Sequence, residues 1–258
     1  DLSLGGMSAN NVSLNAAGNI STVDLAQHRT IDTLTASAGG AIDFSGNFGT
    51  LGNVTATGGA GFHSLGNLAL TGILNIGTSQ LALTSGGAIS QTGGSITAGA
   101  INASAATGLD LGRTNYIYTL TGLSTTNGDI TYRNHSNIAL PTINAPGSLT
   151  LTSDVGAITQ NIGTTLTANQ LAASAGTMIE LTGANHLVSL GALTAGNAIT
   201  VNNQDSLTLT DDISASSVTL TSALGSIVQT GGAISATNLT ANARTGLVLG
   251  RTNNVGAL

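Results

Sequence analysis

The groups that could do chemistry are few: eleven carboxylates, five arginines and four histidines in 258 residues, with no lysine and no cysteine. Asp211 and Asp212, with Asp205 close by, are the only acidic cluster. Paired carboxylates can serve as general acid and base on a glycosidic bond, at separations of roughly 5–10 Å, or hold a weakly bound cation. Neighbouring residues of a strand point to opposite faces. No Gly-His-Gly or similar basic motif accompanies these three. Turn residues are therefore the expectation. Asp43, Asp110 and Glu180 recur at matching places in the sequence, and Val248 breaks the series; they are expected to lie outward on a solvated face. His28, His63, His135 and His186 lack the short spacings of metal ligands and are expected in surface loops. No phosphate-binding loop and no calcium nonapeptide repeat is present. Neither a catalytic residue, nor a metal, nor a cofactor is expected.

Some uncharged residues also carry chemistry. Tyr116, Tyr118 and Tyr132 fall in one stretch. Tyrosine is enriched at binding surfaces, so these three, with Arg113 and Arg251, form the candidate contact patch. Gln91, Gln160 and Gln229 each follow a core isoleucine two positions later. Alternation turns them inward. A buried amide left unbonded costs about 1–3 kcal/mol, so they are expected to bond turn backbone at a corner, and Gln160→Ala to lower stability.

What positions these residues is a repeat. The segments opening at Leu34, Ile101, Leu171 and Leu239 resemble one another, with start-to-start spacings of 67, 70 and 68. A second block opens at Val12, Leu81, Leu149 and Val218, with spacings of 69, 68 and 69. Two independent blocks with one period define a unit of about 68 residues. Its boundaries fall near 12–80, 81–148, 149–217 and 218–258, within a single segment, 1–258.

Inside each unit run short apolar–polar–apolar triplets, such as Leu149-Thr150-Leu151, Ile179-Glu180-Leu181 and Leu207-Thr208-Leu209. Period 2 means strands, and Gly, Asn, Ser and Asp between them supply turns. Strands this short are not stable as an isolated sheet. Stacked in parallel, coil over coil, they are. The predicted fold is all-β: a parallel β-solenoid of about eleven coils of roughly 22–23 residues, with about three coils to each repeat. No sustained helical stripe competes with it. In that arrangement Arg113 and Arg251, each in an LGRTN run, mark one corner; there they pack over the neighbouring coil or form a ridge for carboxylates or glycans. Ile20, Ile89, Ile158 and Ile227 are expected at equivalent core positions three coils apart.

Composition narrows the function. Charged residues are 6% of the chain, aromatic residues 2%, and the net charge is −6. An average domain carries about 25% charged residues. The surface must be built from Thr, Ser, Asn and Gly. No basic patch can form, which argues against nucleic acid and acidic lipid. No apolar run is long enough for a membrane helix. Neither terminus reads as a polar cap, so a fragment of a longer chain is expected, its solenoid continued covalently or by end-to-end self-association.

The runs GGAISQTGG (86–94), GSIVQTGGAIS (225–235), LGRTN (111–115) and LGRTNNV (249–255) resemble the repeats of filamentous haemagglutinin-like bacterial exoproteins. The resemblance covers essentially the whole chain and is strongest from Leu81 onward. It implies a right-handed parallel β-helix and export by two-partner secretion. It also implies a secreted or cell-surface location on a Gram-negative bacterium, and a role in adhesion or fibre formation. A host or neighbouring-cell glycan or protein would be the partner. That family's secretion domain carries Asn-Pro motifs, and none occurs here, so a shaft segment is expected. Alternatives are a pectate-lyase-like carbohydrate-active β-helix enzyme and a self-stacking subunit of a biofilm matrix. An ice-binding solenoid fits less well, because the outward threonines are single rather than paired.

Overall fold

The computed structural model describes residues 1–5, 7–22 and 30–257. Its described strands fall into two compact units, Asp1–Asn127 and Gly128–Leu258. Thirteen strands belong to the first and fourteen to the second. Each unit is a right-handed parallel β-helix, and the chain makes about 12 turns in all. A strand that returns to pair in parallel with itself must do so through a full coil, and right-handed crossovers are the sterically favoured ones. Among the described residues there is no helix.

The triplets become strands with the expected alternation. Leu207–Leu209 buries its ends and turns Thr208 outward, and Ala198–Asn203 alternates throughout. In the first unit the core column runs Ile20, Ile42, Ala60, Leu81, Ile101, with steps of 22, 18, 21 and 20 along the chain. In the second it runs Ile138, Ile158, Ile179, Ile199, Val218, Leu239, with steps of 20, 21, 20, 19 and 21. Nearly all these side chains are wholly removed from water, and burying each large aliphatic contributes about 1.5–3 kcal/mol. Phe44, Phe48 and Phe62 pack edge to face in the first unit, with centroids 5.4 and 6.4 Å apart.

The coil is thus shorter than the roughly 22–23 residues that three coils per repeat imply, and this changes what the repeat means. A repeat of about 68 residues exceeds three such shorter coils by more than a third of a turn. Ile20 and Ile89, matched in sequence, stand in different columns: three coils after Ile20 comes Leu81, and Ile89 lies in the column of Leu68 and Leu109. Likewise Ile158 shares a column with Val218, whereas Ile227 sits between Leu207 and Leu247. Sequence-equivalent residues advance by one face per repeat instead of returning to the same face. In the last coil Leu247, though in line with Ile227 and Leu207, is 45% exposed.

Side chains at the turns bind one coil to the next. The amide oxygens of Asn19, Asn53 and Asn67 accept backbone N–H groups of Ala41, Ile73 and Ala88 at 2.8–2.9 Å. In the second unit the carboxylates of Asp129 and Asp212 and the amide oxygen of Asn137 accept the N–H groups of Ser148, Ala233 and Ala157 at 2.7–2.9 Å. The Gly-Gly of each QTGG run is also explained. Gly94 and Gly232 have φ of +59° and +60°, and a Cβ on either would collide with backbone of the preceding coil. A left-handed turn pressed against its neighbour admits only glycine.

Candidate functional site

Gln91, Gln160 and Gln229 point inward, as alternation requires. Their main partner is not turn backbone alone but an asparagine amide one coil on. Gln91 Nε2 donates to Asn115 Oδ1 at 2.8 Å, and Asn115 Nδ2 donates back to Gln91 Oε1 at 3.0 Å. Gln160 and Asn185 repeat this at 2.8 and 3.1 Å, and Gln229 and Asn253 at 2.8 and 2.9 Å. The remaining lone pair of each asparagine oxygen accepts a backbone N–H, from Ile96, Leu166 and Ile234 respectively. The expected backbone bonds are present as well: Gln160 Nε2 donates to the Thr164 carbonyl, and Gln229 Nε2 to that of Gly232. Asn185 stands 14 positions after Leu171, as Asn115 and Asn253 do after Ile101 and Leu239, although its neighbours Ala184 and His186 depart from the LGRTN run; its pairing with a glutamine is what the sequence reading missed. The signal is the constant separation from glutamine to asparagine, 24 or 25 positions in all three pairs.

The carboxylates take structural places. Asp43, Asp110 and Glu180 are exposed. Asp43 stands beside Ser21 and Gly61, and Asp110 beside Ser90, so these two lie in different columns. Asp110 accepts the Gly112 N–H at 2.8 Å. Asp211 accepts the N–H of Asp212, whose own carboxylate accepts that of Ala233. Asp205 instead meets His186, with Nδ1 2.8 Å from Oδ2. His63 is exposed between Ser45 and Thr84. His28 lies outside the described residues. Among the described residues no group of three or more His, Cys, Asp or Glu is placed to hold a metal.

Several shallow hollows open on the second unit. One, of about 580 Å³, is lined by Thr167, His186, Val188, Asp205 and Leu224. Another of the same size is lined by Arg133, His135, Thr152, Asp154 and Ser174. Here Arg133 Nε lies 2.8 Å from Asp154 Oδ1, and His135 Nδ1 3.8 Å from Oδ2. His186 and Asp205 are 19 positions apart and Arg133 and Asp154 are 21 apart, one coil in each case. A sequence reading with longer coils does not bring them together.

The contact-patch residues divide. Arg113 donates to the Thr92 carbonyl at 2.8 Å, and Arg251 to that of Thr230. Both lie over the preceding coil, within their own units. Tyr116 and Tyr118 are exposed in the first unit. Tyr132 belongs to the second and is 1% exposed. It follows Ile130 at the alternate position of one strand, so alternation turns it inward, and it is no part of an exposed contact surface. Desolvation lifts its phenol well above the ordinary tyrosine range.

The polar chemistry available is therefore amides and hydroxyls in rows, isolated ion pairs and two exposed phenol rings. Comparison with protein-family models, with curated proteins and with solved structures gives no match for this chain.

Proposed function

We propose that this chain is a length of the structural, adhesive shaft of an extracellular bacterial filament. The observation that carries this reading is a row of outward side chains in the second unit. Thr152, Ser174, Thr194, Ser214, Ser235 and Asn254 stand side by side, one from each successive coil. Such a row offers one uncharged hydrogen-bonding side chain per coil, a hydroxyl in all but the last, at about 4.8 Å intervals. Many weak, similar contacts along a rigid support bind a surface by avidity rather than through one deep site. The likeness of the GGAISQTGG and LGRTN runs to filamentous haemagglutinin-like repeats supports the same reading. So does the absence of cysteine, which suits export as an unfolded chain. In this reading the partners are the continuation of the solenoid, or a second copy stacked end to end, and a glycan or protein of another cell.

The experiment is to locate the protein in its native host with an antibody against this segment. The reading expects labelling of intact cells or of shed filaments, and weaker attachment to target cells when the coding region is deleted. Labelling only after lysis, with attachment unchanged, would sink it.

A further inference from the structure

The chain has three tyrosines, three phenylalanines and no tryptophan. Phe44, Phe48, Phe62 and Tyr132 are buried. The two that remain, Tyr116 and Tyr118, are 50% and 91% exposed. They lie on the outward side of one strand, separated by the buried Ile117. A chain that hides every other ring and sets these two together in water has a concentrated aromatic surface. An exposed aromatic cluster is the informative departure from ordinary burial.

The surroundings indicate the occupant. In the preceding coil Thr97 stands beside Tyr116 and Ala100 beside Thr119, which places Gly99 next to Tyr118. One coil further back, Asn75 stands beside Thr97 and Gln80 beside Ala100. A Cβ on Gly99 would collide with the Thr78 carbonyl, so the floor beside Tyr118 stays bare. Asn75, Gln80 and Thr119 are exposed. None of these neighbours is charged. Flat rings beside neutral amides and hydroxyls complement a molecule with an apolar C–H face and a hydroxyl rim. That molecule is a pyranose sugar without carboxylate or sulfate.

We propose that Tyr116 and Tyr118 form a stacking platform for neutral pyranose glycans, with Asn75, Gln80, Thr97 and Thr119 as hydrogen-bonding partners of the sugar hydroxyls. The proposal rests on the adhesive reading above and gives it a ligand class.

The test uses the chain with cellohexaose, maltoheptaose and N-acetylchitohexaose, by saturation-transfer NMR and by tyrosine emission, which no tryptophan obscures. At least one sugar should draw saturation from tyrosine ring protons. Tyr116→Ala with Tyr118→Ala should weaken it about tenfold or more, as loss of a central aromatic anchor does. Tyr118→Phe, which keeps the ring, should bind nearly as the parent does. Circular dichroism checks that the variants fold. Binding of no panel member would overturn the platform, as would binding that survives the double substitution. Self-association lost in the double variant, without sugar binding in the parent, would instead assign the rings to a second copy and overturn it too. Because sugar binding by the isolated chain is independent of export, an intracellular location would defeat the shaft reading and leave the platform standing.

Discussion

Gln160 and Asn185, on adjacent coils, exchange two amide hydrogen bonds inside the core, Nε2 to Oδ1 at 2.8 Å and Nδ2 to Oε1 at 3.1 Å. Gln160 Oε1 also accepts the Gly183 N–H at 2.9 Å. Asn185 has no exposed surface, and its oxygen also serves the Leu166 N–H. In a stack of short aliphatic strands, sliding by one alternation period would bury another set of leucines at little cost. A paired amide that is satisfied in only one alignment fixes the register.

Removing either partner leaves the other amide buried and incompletely bonded. Gln160→Ala and Asn185→Ala should each cost about 1–3 kcal/mol. The double variant should cost less than the sum, with a coupling of about 0.5–3 kcal/mol. Urea unfolding of the four proteins measures this. Additive losses would show that the two amides do not act as a pair.

Glycine positions separate two effects. Gly163 and Gly232 both have positive φ, +77° and +60°. Nothing lies within 4 Å of a Cβ on Gly163, whereas one on Gly232 would strike the backbone of Asp211. Gly163→Ala should cost only the left-handed backbone strain, about 1–2 kcal/mol. Gly232→Ala should cost clearly more, because the coil must also move. Equal melting temperatures for the two variants would contradict the close stacking at the QTGG turn.

Burial sets the alkaline behaviour. The Tyr132 phenol holds its proton more tightly folded than unfolded. The native state therefore binds more protons once the unfolded phenol begins to ionise near about pH 10. The stability this contributes is complete below that pH and is lost progressively above it. Urea midpoints measured from about pH 8 to pH 11, a range that brackets the ordinary phenol, should fall more steeply for the parent than for Tyr132→Phe. Parallel curves would mean that Tyr132 reaches solvent.

The sequence made the strands, the turns and the inward glutamines legible, because each rests on local rules. Alternation alone also places Tyr132 inside, on the same face of its strand as Ile130; proximity to Tyr116 and Tyr118 in the chain is a poorer guide. The coil length was not legible. Repeat matching measures the distance between similar segments and is blind to how much chain closes one turn. For that reason Arg133 with Asp154 and His186 with Asp205, each on adjacent coils, cannot be paired from sequence, whereas the glutamine–asparagine pairs carry a signal in their constant separation. The rotation of Ile158 and Ile227 onto different faces follows from the same unseen number.

The shaft reading depends on the short coil, which brings one outward side chain per turn into a row. Disulfide trapping tests this directly in a chain with no native cysteine. Thr159 stands beside Glu180, both outward, and paired parallel strands lie about 4.8 Å apart, within disulfide range. The T159C/E180C variant should cross-link rapidly and in high yield under mild oxidation. T159C/T182C, the pairing that the longer coil read from the repeat would supply, should not. Preferential cross-linking of position 159 to position 182 would contradict the coil length and the row built on it.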